Sequence, residues 1–132
     1  MEKIRTQVIK KFVFDATDGK AIGTHVIGQL PSNAVIRQAW IDVDTTFTSA
    51  TDAATIALGY TSTVGAFDAA IAISAGGNVW DAAVPRVSDA AADGAVGNFV
   101  VLSADVKIFA TVAVEALTAG KVSIYVDLFI DK

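Results

Sequence analysis

Val106-Lys107-Ile108-Phe109-Ala110-Thr111-Val112-Ala113-Val114-Glu115-Ala116-Leu117-Thr118-Ala119-Gly120-Lys121-Val122-Ser123-Ile124-Tyr125-Val126-Asp127-Leu128-Phe129-Ile130-Asp131 alternates with little interruption. Ile108, Ala110, Val112 and Val114 fall on one side of the first half. In the second half Val122, Ile124, Val126, Leu128 and Ile130 form an apolar face. Lys121, Ser123, Tyr125, Asp127 and Phe129 face the other way. A period of two is the mark of a half-buried strand. Leu117-Thr118-Ala119-Gly120, with glycine at its end, reads as the turn of a hairpin between 106–115 and 121–131.

The same period recurs upstream. Ile4 to Phe14 alternates, with Phe12 and Phe14 on one face and Arg5, Gln7, Ile9, Lys11 and Val13 on the other. Asp15-Ala16-Thr17-Asp18-Gly19 is a turn, since Asp bonds its own backbone and Gly accepts positive φ. Ala21 to Leu30 is a strand whose Gly23 and Gly28 mark a bulge or close backbone approach. Pro31 ends it, having no N–H for a ladder. Val35 to Phe47 places Val35, Ala39, Ile41, Val43 and Phe47 on one face. Ile36, Gln38, Trp40, Asp42, Asp44 and Thr46 take the other. Ala54 to Tyr60 and Phe99 to Leu102 are shorter strands. Residues 61–98 are the least patterned. Within them Ala69–Ile73 reads as strand or helical turn, Val84–Val87 as a sheet edge, and Ser88–Gly94 as one capped helical turn.

Seven or eight strands with short polar turns and one apolar face each predict an all-β fold. The expected architecture is one two-layer antiparallel β-sandwich domain over residues 1–132, jelly-roll-like, with an immunoglobulin-like order as the alternative. Long runs of strong helix formers are scarce, and only two Glu accompany twelve Asp.

Composition narrows the function classes. The chain has no cysteine and one histidine, so it offers no disulfide, no thiolate site and no ordinary zinc ligand set. His25 has no Ser or Asp at a spacing that links it into a triad. Asp42 and Asp44 share one strand face, but no calcium-loop spacing surrounds them. Gly76-Gly77 lacks the following Lys-Ser of a phosphate loop. No catalytic residue, cofactor or metal is therefore expected.

No run of about 18 apolar residues forms a membrane span, and no apolar h-region follows Met1-Glu2-Lys3-Ile4-Arg5, so no signal peptide is expected. Net charge is −4 and uneven. Residues 1–37 hold six basic side chains and three acidic ones, whereas 38–106 hold eight Asp against Arg86 alone. That pattern does not suit nucleic acid. It suits an ordinary solvated surface or, as the alternative, complementary contacts with protein neighbours, in which the basic segment Lys3–Lys11 is expected to meet an acidic surface.

Two stretches carry a resemblance. Ile27-Gly28-Gln29-Leu30-Pro31-Ser32-Asn33-Ala34-Val35-Ile36, followed by Asp42-Val43-Asp44-Thr45-Thr46-Phe47 and Ser49–Gly59, resembles a pattern in small virion proteins of tailed bacteriophages. Leu117–Val126 resembles their final hairpin. The likeness spans 26–60 and 106–131. It implies a cement or decoration protein on the outer surface of the capsid, made in the host cytoplasm. Such a protein binds the major capsid protein and bridges its subunits as a homo-oligomer, with a trimer favoured. Another virion part, a head-fibre base or tail component, is the second reading. A carbohydrate-binding module stacking sugars on Trp40 or Trp80 is the third. The side chains expected at an interface are Lys3, Arg5, Lys10, Lys11, Trp40, Trp80, Tyr125 and Phe129.

Overall fold

Alternation in the sequence becomes nine strands in a computed structural model, which describes residues 5–60, 63–75, 80–82, 86–87, 100–102 and 104–131. They are β1 (Arg5–Asp15), β2 (Gly23–Leu30), β3 (Val35–Ser49), β4 (Thr55–Tyr60), β5 (Thr63–Ala72), β6 (Arg86–Val87), β7 (Val100–Val101), β8 (Val106–Ala113) and β9 (Leu117–Asp131). The capped turn expected at Ser88–Gly94 lies outside the described residues.

Two antiparallel sheets result. One has the order β1-β9-β3-β6, with β7 also pairing β3, and the other has the order β2-β8-β4-β5. The first and last long strands pair over eleven unbroken positions, Arg5 opposite Asp131 through Asp15 opposite Lys121. An immunoglobulin order, which pairs the first strand with the second, is not the one found.

The hairpin expected at the C-terminal end does not form. β8 belongs to one sheet and β9 to the other. The reversal sits at 114–116, three residues before the expected turn. Leu117 is buried and bridges Lys20, so it already belongs to the strand. Gly120, with φ 131, is a kink within β9 where a Cβ would enter the Phe47 ring. Alternation assigns a side chain to a face but does not say which sheet a strand joins.

The core lies between the sheets. Val122, Ile124, Val126 and Leu128 of β9 are fully buried together with Ile108 and Ala110 of β8 and Ile56 and Leu58 of β4. Each large apolar side chain there contributes roughly 1.5–3 kcal/mol by leaving water. A row of rings crosses one end of this core. His25 lies 5.8 Å from Phe14, Phe14 stacks on Phe47 at 6.1 Å, and Phe47 meets Trp80 edge-on at 5.7 Å.

Among several register shifts, two bear on the faces of β3 and β2. β3 slips register between Ile36 and Gln38, so Ile36 turns into the core and Val35 stands opposite Phe129 on the outside. That reverses the expectation for this pair, because a bulge resets the alternation. β2 slips between Val26 and Gly28, the bulge expected of a strand glycine. The turn before β2 is also as expected, with Thr17 N donating to Asp15 Oδ1 and Gly19 at φ 91.

Candidate functional site

The outer face of the β1-β9-β3 sheet gathers Lys11, Trp40, Tyr125 and Phe129, four of the eight side chains expected at an interface. Register places Lys11, Tyr125 and Trp40 in one line across three strands. All three turn away from the core, because their neighbours Phe12, Ile124 and Ile41 pack into it. Lys11 Nζ sits 5.6 Å from the centre of the Tyr125 ring, a cation–π contact worth about 0.5–1 kcal/mol at an exposed site. Trp40 and Tyr125 are half-buried. Phe129 lies two lines away, between Gln7 and Val35.

Not every expected residue joins them. Lys10 stands opposite Val126 and so points to the other side of β1 from Lys11. It is exposed because β1 is the edge of its sheet. Arg5 is paired through its backbone with Asp131. Lys3 lies outside the described residues. Trp80 is corrected outright: at 0% exposure it is core. Its Nε1 donates to Ile71 O at 3.1 Å, its carbonyl accepts from Phe47 N at 3.0 Å, and its ring meets Phe47. A buried Trp with its N–H satisfied is a packing residue. The sugar-stacking pair of Trp40 and Trp80 is thereby dissolved.

The face also holds residues that sequence reasoning passed over. Asp127 is turned outward yet only 2% exposed. It accepts a hydrogen bond from Gln7 Nε2 at 2.9 Å and a longer one from Arg37 Nε at 3.5 Å. Ser123, 1% exposed, donates to Asp44 Oδ2 at 2.7 Å. Ile9 stands directly opposite Asp127 and is 60% exposed. Arg37 occupies the β3 bulge, which re-aims its side chain. The outward register of Asp127 was legible, but its burial depends on neighbours that only pairing brings close.

Elsewhere, polar clusters tie loops down. Glu115 accepts bonds from Thr51 N at 2.8 Å and Thr51 Oγ1 at 2.6 Å. Hydroxyl bonds from Ser49 and Thr51, then the Thr51 amide, lower its pKa to about 2. Asp15 is likewise held below the usual carboxylate range by the Thr17 hydroxyl and amide. His25 bonds Ala21 O at 2.7 Å and lies against Phe14. Among the described residues no three His, Cys, Asp or Glu converge on a common metal position, and no helix is long and apolar enough to cross a membrane.

Chains of known structure share this fold. A chain in the acidic stable capsid structure of Helicobacter pylori bacteriophage KHP30 aligns with TM-score 0.68 at 16% identity, over 98% of this chain and 92% of that one. A chain of the cyanophage Pam1 capsid asymmetric unit gives 0.65 at 18%, over 96% and 86%. One from the capsid of Ralstonia phage GP4 gives 0.61 at 20%, over 96% and 85%. No protein-family model and no curated protein sequence matches the chain. The likeness is therefore one of fold, carried end to end across a two-sheet β-sandwich.

Proposed function

We propose that this chain is a structural protein of a phage virion, a cement or decoration protein that binds the outer capsid lattice. The observation that carries the reading is the end-to-end fold likeness to chains in three phage capsid structures. The strand order supports a jelly roll. Among the described strands, β4 and β5 are the one hydrogen-bonded pair of chain neighbours, β6 and β7 both pair β3, and every other pair of successive strands lies in opposite sheets.

In this reading the partner is the major capsid protein and the chain is a homo-oligomer, with a trimer favoured. Its mechanism is not catalytic: it buries protein surface, and repetition over a lattice turns modest contacts into a strong assembled state. The outer face with Trp40, Tyr125 and Phe129 supplies suitable chemistry, because aromatic side chains are enriched among the anchors of protein interfaces, and Lys11 adds a cation beside them. Exposed Lys10 and Lys11 would steer association with an acidic neighbour, a contact weakened by salt.

Co-sedimentation tests this. The purified chain is mixed with shells of the parent particle stripped of it, and its own assembly state is read by analytical ultracentrifugation. Saturable binding to shells supports the reading. A chain that stays in the supernatant at every concentration contradicts it.

A further inference from the structure

The geometry points to Arg37 as the charged anchor of the outer face, positioned by Asp127 to receive a carboxylate from an acidic protein surface; this rests on the decoration reading. Three observations meet at this residue. Arg37 occupies the bulge between Ile36 and Gln38, and bulges re-aim side chains away from the regular pleat. Its partner Asp127 is a carboxylate with a side chain only 3% exposed, whereas the Arg37 side chain is 41% exposed. A buried carboxylate is retained where it is hydrogen-bonded, and Gln7 supplies the second bond. The contact to Asp127 uses Nε. The two terminal nitrogens of the guanidinium are not spent on it. They form the fork that matches a carboxylate through two parallel hydrogen bonds.

The surroundings select an acidic protein as the occupant. Lys11 and exposed Ile9 lie on β1 across from Tyr125 and Asp127. The face around Arg37 thus offers two cations, an exposed aliphatic side chain and the half-buried Trp40 and Tyr125. Of its other carboxylates, Asp42 and Asp44 lie on the opposite side of the Trp40 line, where Asp44 accepts from Ser123, and Asp15 stands opposite Lys121 beyond them. Asp131, at the end of β9, stands opposite Arg5. Arg, Trp and Tyr are the types that anchor protein interfaces. Asp127 is a positioning residue here. It fixes one nitrogen of Arg37, so less freedom is lost when the others bind.

Stripped shells of the parent particle are the probe, and the variants are Arg37→Ala, Arg37→Lys, Asp127→Asn and the double variant. Arg37→Ala is expected to weaken shell binding tenfold or more, and to lower the melting temperature because buried Asp127 keeps only its Gln7 bond. Binding is therefore read well below the melting transition of every variant. Arg37→Lys should restore only part of the loss, since a point charge lacks the fork. Asp127→Asn should weaken binding several-fold in the parent chain and not at all when Arg37 is already alanine. The opposite-sheet variant Lys107→Ala should bind as the parent does. Binding of Arg37→Ala within twofold of the parent overturns the inference and leaves the decoration reading standing. Parent chain that binds no shell overturns both.

Discussion

The ring of Phe12 occupies the space a side chain at residue 28 would need. A Cβ built on Gly28 falls well inside van der Waals distance of Phe12 Cδ1 and Cε1. Phe12 belongs to β1 and Gly28 to β2, so this fit lets the two sheets close along their shared side. Gly28→Ala forces the ring to move in a packed interior. Overpacking of this kind costs about 1–3 kcal/mol. A melt of the variant should show that loss, and an unchanged melting temperature would mean the fit is loose.

Alternation along the chain made the strands legible, and with them the faces of β1, β8 and β9. It did not make their partners legible. Val122 to Ile130 reads as buried whichever sheet β9 joins, so the turn before it passed for a hairpin when it is a crossover. The candidate face shows the same limit. Tyr125 and Trp40 were assigned outward from period two, but their position opposite one another comes from long-range pairing. Trp80 lay in a stretch without clear period, and nothing local marked it as core. Arg37 was hidden because a bulge is a property of two strands.

The two tryptophans should separate stability from binding. Trp80→Ala removes a fully buried ring and its hydrogen bond to the Ile71 carbonyl, and losses of about 3–5 kcal/mol are usual for such a truncation. Trp40→Ala is expected to change the melting temperature little and to reduce shell binding. If Trp40→Ala melts as early as Trp80→Ala, the outer aromatic line is structural.

Val114 has φ 71 and is 68% exposed, and Glu115 N bonds Ala113 O at 2.8 Å across it. This is a γ-turn of the rare positive-φ kind, held by a β-branched residue. Such conformations cost about 1–3 kcal/mol, and glycine relieves the strain while giving back part of it to unfolded-chain entropy. Val114→Gly should therefore stabilise by about 1 kcal/mol, read by chemical denaturation. A destabilised variant contradicts the strain argument.

Acid should act through Glu115. Its folded pKa of about 2 lies below its unfolded value near 4.5, so the folded state favours the carboxylate. The stabilisation it brings is complete above the unfolded value and is lost as pH falls toward the folded one. Stability followed from pH 6 to pH 2 should decline below about 4.5. In Glu115→Gln that part of the decline should vanish. Asp15 shifts the same way through Thr17, so the decline should be reduced and not abolished. Identical pH curves for parent and variant would remove Glu115 from the account.

The decisive experiment for the proposed placement is cryo-electron microscopy of the particle that carries this chain. This two-sheet sandwich should appear in density on the outside of the shell, repeated with the lattice, its β1-β9-β3 face against a capsid subunit. A complete shell reconstruction in which the fold is absent, or lies elsewhere in the particle, would contradict it.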